Sequence, residues 1–300
     1  MPKKQRKQLS LLTRVTRRLL GTQTARRMGR AAWVRPGLAP AGLFASSRMD
    51  RRPIEELISK LHPVRAKQPL IRLGPDGDGG YLVPDDLDGL AACFSPGVDM
   101  TSGFELDCAE RGMKVFMADA SVDGPEMEHP QFHFKKKFLG AVESDDVISL
   151  DRWVAECVPD PSDDLLLQID IEGAEYEVLL STPSETLNRF RVIAAEFHGI
   201  DDLWSKSFFQ VAKAAIEKLL ITHSCVHAHP NNCLRSYRSG GLDLPPLLEF
   251  TFVRHELARE GEYVTEFPHP LDRDNLRRRA VPLHESWTRR TTDNPLRNGH

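Results

Sequence analysis

Cysteine is scarce and unpatterned: the five in this 300-residue chain, Cys93, Cys108, Cys157, Cys225 and Cys233, are odd in number and form no C-x-x-C pair. Neither a disulfide framework nor a thiolate zinc site is therefore expected, and a reducing, cytoplasmic setting fits best. Long apolar runs are missing too. Nothing approaches the ~18 consecutive apolar residues of a membrane span, and the longest runs, such as 165–167 and 192–195, suit buried strands of a soluble body. Internal repeats are absent. At 40% hydrophobic and 28% charged residues the composition is that of an ordinary globular chain, which excludes collagen-like and wholly disordered classes.

Acid is almost absent from the first 52 residues, which hold 14 Lys and Arg and a single carboxylate, Asp50. The remaining 248 residues carry a net charge of −16, so the overall figure of −3 hides a basic head and an acidic body. An acidic body argues against nucleic acid as its partner, and any polyanion binding would come from the head. Residues 1–52 read as a basic, disordered extension. A targeting peptide, a basic arm for anionic lipid or nucleic acid, and a start at Met28 or Met49 are the other readings. No continuous apolar stretch follows the basic start, so a secretory signal is not expected.

From Pro53 the pattern is that of a folded domain, taken to run over 53–255, with 256–300 as a C-terminal extension. Helical spacing covers 54–61, and a Gly/Asp turn leads into an apolar stretch at 81–83. Strands are expected at 91–94, 114–118, 132–138, 165–169, 191–197, 225–227 and 248–253. Helices are expected at 104–111, 150–157, after Gly173, and at about 208–220. This alternation predicts a doubly wound α/β fold, a parallel sheet covered on both faces, with its ligand at the carboxyl ends of the strands.

The strand ends are where the chemistry concentrates. The first ends in FSPGVDMTSGFEL, a turn at Gly97 opening onto a helix whose free N–H groups suit a ligand, although the full G-x-G-x-x-G is absent. The second ends in Asp119, 22 residues after Gly97, where nucleoside-binding sheets hold a ribose diol. The pair suits any adenosine cofactor. Asp170 and Glu172 follow the fourth strand in D-I-E-G, and alternation sends both to one side. Two acids so close are tolerated where a cation lies nearby or one stays protonated. Glu196 and His198 end the fifth strand beside Gly199. His223, His227 and His229 with Asp170 or Glu196 are an alternative mixed N/O metal set, but their spacing matches no standard zinc pattern and no metal is expected. His229, Asn231 and Asn232 read instead as a polar loop over an acceptor pocket. Gly79, Gly80 and Tyr81 either close the cofactor side or form a structural turn.

Taken in order, GDGGYLVPDD, FSPGVDMTSGFEL, FMADAS, LLLQIDIEGAEYEVLL, VIAAEFHGID, HAHPNN and LLEFTFVR resemble the FkbM-type family of class I S-adenosylmethionine-dependent methyltransferases over about residues 70–255. The resemblance implies a Rossmann-like, seven-stranded sheet with an antiparallel last strand. It implies S-adenosyl-L-methionine as cofactor and methyl transfer to a hydroxyl of a sugar or natural product. Gly97 would then approach the methionine moiety, Asp119 the ribose, and Glu105 would lie on the cofactor side. Pro96 and the missing second glycine depart from the family's usual turn. His198 is the expected base, with Asp170 orienting it or acting itself, and Glu172, Glu196, His229, Asn231 and Asn232 facing the acceptor. An NAD-dependent oxidoreductase is the alternative enzyme, though D-I-E-G and E-F-H have no obvious role in hydride transfer. A non-catalytic Rossmann-like module tethered by its basic arm is the third reading, and only that one requires residues 1–48 for function.

Overall fold

Leu165–Ile169 and Phe190–His198 are nearly continuous apolar runs, and such segments gain most when both faces of a sheet are covered. The computed structural model, which describes residues 46–98 and 101–288, places both at the centre of a seven-stranded sheet. Contacts divide the chain into residues 1–48 with 205–207, and residues 49–204 with 208–300. In the first unit the amide of Lys206 donates to the carbonyl of Ser47 at 2.8 Å. The basic head read from sequence lies, up to residue 45, outside the described residues.

In chain order the elements are α1 (Arg51–Lys60), β1 (Val64–Ala66), β2 (Leu70–Leu73), β3 (Tyr81–Pro84), β4 (Ala92–Pro96), α2 (Gly103–Glu110), β5 (Lys114–Ala118) and β6 (Phe132–Lys135). There follow β7 (Phe138–Leu139), β8 (Val147–Ile148), α3 (Leu150–Cys157), β9 (Leu165–Ile169), α4 (Glu175–Ser181), α5 (Ser184–Arg189), β10 (Phe190–His198) and α6 (Lys206–Leu219). The chain continues through β11 (His223–Pro230), β12 (Tyr237–Ser239), β13 (Leu242–Leu244), β14 (Leu247–Arg254) and β15 (Ala258–Tyr263).

The central sheet has the order β11-β14-β10-β9-β4-β5-β6. Strands β6, β5, β4, β9 and β10 pair in parallel, while β14 runs antiparallel to both β10 and β11. This is the doubly wound sheet with a reversed last strand that the motifs imply. The chain winds outward from β4 through β5 to β6 and then returns to place β9 on the other side of β4. A topological switch therefore opens between the carboxyl ends of β4 and β9, where open sheets of this class leave a crevice for ligands.

Alternation along the strands builds two apolar layers. On one face Phe94 meets Trp153 edge-on at 5.0 Å between ring centroids, within a cluster that includes Leu167, Phe190, Ile193 and Phe252. On the other, Cys93, Val115, Leu166, Val192 and Val253 pack with Phe104 and Met113. Two expectations change. The strand expected at 132–138 splits, with only β6 joining the sheet and β7 pairing β8. The apolar stretch at 81–83 is β3, which pairs antiparallel with β2 as a separate hairpin. The helix after Gly173 is broken into α4 and α5 at Pro183, whose missing N–H suits the start of the second.

Candidate active site

At the switch point Gly97 follows β4 with φ +86°, and its amide donates to the Ala118 carbonyl at 3.1 Å. A Cβ on Gly97 would fall 1.7 Å from the backbone oxygen of Asp170. The glycine turn and the end of β9 are thus in van der Waals contact, a close approach that only a residue without a side chain permits. Asp119 follows β5, half-buried. Its Oδ2 accepts from the amide of Val98 at 3.2 Å, and its Oδ1 from the amide and hydroxyl of Ser121, both at 2.6 Å. That carboxylate ties together the loops after two neighbouring strands. At the start of α2 Ser102 makes no side-chain capping bond, and its buried Oγ has no partner.

Glu105, on α2, points beneath this turn. Its carboxyl is buried against Ser95, whose hydroxyl also lies 2.7 Å from Gln168 Oε1. The Ser95 hydroxyl is the donor to Glu105, and burial raises the Glu105 pKa against that hydrogen bond. Ser95, Gln168, Glu196, Thr251 and Glu249 are all buried polar residues that continue the face of the Val192–Leu166 layer and alternate along their strands with residues of the Phe94–Leu167 layer. Hairpin residue Tyr81 caps this row, its hydroxyl 3.4 Å from Asp170 Oδ2. Burial pushes the Tyr81 phenol well above its ordinary value, and the charges of Asp170, Glu196 and Glu249 add to the effect.

Asp170, Glu172 and His198 are brought together at the ends of β9 and β10. His198 Nε2 lies 3.4 Å from Glu172 Oε2 and 3.8 Å from Asp170 Oδ1, while Nδ1 lies 3.1 Å from Glu175 Oε1. Glu172 is 90% exposed, whereas the Glu175 side chain is wholly buried. Burial alone would lower the His198 pKa, but the hydrogen bond its ring donates to Glu175 and the charges of Glu175, Asp170 and Glu196 carry it up to about 9. Burial pushes Asp170 up to about 6 against the pull of His198. Glu196, buried and close to Asp170 and Glu249, is pushed up to about 9 although Asn231 donates to both of its oxygens, at 3.1 and 3.2 Å.

Glu175 is the residue that sequence reading passed over. It begins α4, and its Oε1 accepts from the amides of Ile171 at 3.1 Å and Gly173 at 3.0 Å, closing the D-I-E-G turn and orienting the His198 ring. Its place in the sequence, an acid in the first turn of a helix after a glycine, was the available signal.

The other acceptor-side residues sit farther along the rim. His229 Nδ1 lies 3.3 Å from Asp272 Oδ2, and His227 Nε2 lies 2.8 Å from Asp272 Oδ1. Burial opposes ionisation of Asp272, yet hydrogen bonds from the two histidines hold its carboxyl well below the usual carboxylate range. Burial would lower His229, but Asp272 raises it. Asn232 is spent on the backbone of Leu276, donating to its carbonyl and accepting from its amide, both at 2.8 Å. His229 and Asp272 border a cavity of about 220 Å³ with Phe267, Pro268 and Leu283. His223 lies at the opposite end of β11, hydrogen-bonded to the Phe190 carbonyl at 2.7 Å, so the three histidines do not share one site.

Among the described residues no helix is long and apolar enough to cross a membrane. No curated protein matches the chain significantly. Structural relatives are distant. They include a candidate methyltransferase from Thermoplasma acidophilum at 9% identity, with 57% of this chain and 70% of that one covered and a TM-score of 0.30. A candidate RNA methyltransferase from Pyrococcus horikoshii is 12% identical, with 68% and 99% covered and a TM-score of 0.30. A candidate methyltransferase from an antibiotic biosynthesis pathway of Anabaena variabilis is 11% identical, with 61% and 67% covered and a TM-score of 0.26. Scores this low do not establish a shared fold, which rests here on the strand order. Residues 109–220, which contain Asp119, Asp170, Glu172, Glu175, Glu196 and His198, match the family model of the methyltransferase FkbM domain, and over that segment the resemblance carried by the motifs is shown.

Proposed function

We propose that this chain transfers the methyl group of S-adenosyl-L-methionine to an oxygen of a small polar acceptor, a hydroxyl of a sugar or natural product. The observation that carries the reading is the convergence of Gly97, Asp119, Asp170 and His198 on one switch point. Backbone contact joins Gly97 to Asp170, and His198 sits one strand away. The residues present fit the cofactor. Ser102 leaves a buried hydroxyl without a partner beside the uncapped start of α2, which suits a polar ligand group, and Asp119 suits a ribose diol.

When bound, the cofactor supplies an electrophilic methyl on a sulfonium. The chain has to hold the acceptor oxygen in line and receive its proton. With its ring carried up to about 9, His198 is charged near pH 7 rather than the neutral base expected from sequence, so Asp170, at about 6, is the group that receives the proton and His198 positions it. Asp170 and His198 lie 3.8 Å apart at the rim, with side-chain exposures of 31% and 16%. Buried Glu175 fixes the ring that they present. Glu196, held by Asn231, and the row of Gln168 and Glu249 give the adjoining wall hydrogen-bonding groups suited to further hydroxyls.

Substituting Asp170→Asn, which removes the proton acceptor, lowers kcat for methyl transfer roughly a hundredfold or more, and His198→Gln, which loses its positioning, lowers it as well. Affinity for S-adenosylhomocysteine stays near that of the unmodified chain. Turnover assays with labelled cofactor, paired with calorimetry, read both quantities. Unchanged kcat in both variants contradicts the assignment.

A further inference from the structure

Glu175 is wholly buried, and one of its oxygens is overcommitted while the other is idle. Oε1 accepts from two backbone amides and meets the His198 ring, whereas buried Oε2 has no partner. Leaving such an acceptor unsatisfied carries its full desolvation penalty, so an unfilled partner position is implied beside it. Beside Glu175, Asp170 and His198 each offer a ligand atom, and the three atoms, one from each residue, lie within 4.8 Å of one another. Among the described residues Asp170, Glu172 and Glu175 pair with His198 and with no lysine or arginine. Three carboxylates thus share a single, titratable cation.

We propose that Asp170, Glu175 and His198 form a binding site for a divalent cation of the Mg²⁺ and Mn²⁺ class. Two carboxylate oxygens and one imidazole nitrogen, with no thiolate in the set, favour a hard or borderline ion over a soft one. Binding exchanges the shared proton of the His198 ring for the metal and gives the buried Glu175 carboxylate a cationic partner. Three protein ligands leave coordination positions open, and the site lies at the carboxyl rim. On the methyl-transfer reading, on which this catalytic use rests, the acceptor hydroxyl enters one open position, is acidified there, and passes its proton to the carboxylate oxygen of Asp170 that does not ligate the ion. Exposed Glu172, 3.4 Å from the ring, is close enough to steer the ion but is not one of the three ligands.

The test is titration of the full chain with MnCl₂, in the absence of cofactor, followed by electron paramagnetic resonance and calorimetry. One Mn²⁺ per chain is expected. Asp170→Asn and Glu175→Gln, the latter keeping an amide oxygen for the turn, each weaken binding roughly tenfold or more, and Glu172→Gln much less. Should a variant fail to fold, the unmodified chain still decides. Mn²⁺ then broadens the imidazole resonances of His198 and spares those of distant His223. Absence of binding at about 1 mM Mn²⁺, beyond the range of functional divalent-cation sites, overturns the proposal. So does equal binding by all folded variants, or broadening that spares His198. Calorimetry with S-adenosylhomocysteine on the same sample separates the two readings: intact binding without Mn²⁺ uptake removes only the cation site, and no binding removes the methyltransferase reading instead.

Discussion

A methyl group at position 97 would have to occupy the space of the Asp170 carbonyl oxygen, 1.7 Å away, on a backbone with φ +86°. Gly97→Ala therefore destabilises the fold by about 3 kcal/mol or more, visible as a lowered Tm, because both the contact and the dihedral are backbone features with little room to relax. A Tm within a degree of the parent's would show that the turn moves freely. His223 gives the pH dependence at this scale. Burial lowers its pKa to about 4, against the hydrogen bond to Phe190, while His255 and Arg254 lower it further and Glu256 raises it. Its neutral form accepts from Thr222 and donates to the Phe190 carbonyl. Because the folded pKa lies below the unfolded one, this contribution is complete above pH 6.5 and is lost as pH falls toward 4. The loss amounts to about 3 kcal/mol. Urea titrations across that window should show a shallower decline in His223→Gln, and an equal decline would contradict the assignment. Residue types at strand ends made Asp119, Asp170 and His198 legible in the sequence. Glu175 and Asp272 were not, since their importance lies in what they face: an amide-lined turn in one case, two histidines 45 and 43 positions away in the other.

The strands of the central sheet are legible as elements because each is an apolar run with its own local signature, and β5, β9 and α3 fall where periodicity puts them. Pairing is another matter. Nothing local distinguishes β3, which pairs β2 across the sheet's face, from a strand of the sheet itself. The segment after β14 shows the same limit: β15 pairs with β1, nearly two hundred residues earlier in the chain, as Val64 opposite Tyr263 and Ala66 opposite Ala258. Beyond β15, Asp272 is clamped by His227 and His229, and Asn275 donates to Asp78 at 2.8 Å and Glu249 at 3.1 Å. Asp272→Ala leaves two buried imidazoles without their carboxylate, so unfolding in urea shifts by about 3 kcal/mol. Proteolysis between residues 264 and 276 accelerates in the same variant. A midpoint and a cleavage rate like the parent's would mean that the clamp contributes nothing.

At the scale of the molecule, the order β11-β14-β10-β9-β4-β5-β6 with β14 reversed places the switch between β4 and β9, and the chemistry-bearing residues gather there because every parallel strand ends on that rim. Alternation in the sequence was enough for the doubly wound class, while the reversed strand came from the family resemblance and the buried polar row only from three-dimensional pairing. The central claim is that this rim binds an adenosylated methyl donor. Calorimetric titration of the full chain with S-adenosylhomocysteine and, separately, with NAD tests it most directly, with Asp119→Asn as the control for ribose recognition. The account predicts binding of the homocysteine compound alone, with a Kd of roughly micromolar order, and a marked weakening in the Asp119 variant. Binding of NAD in its place, or of neither compound, would contradict it.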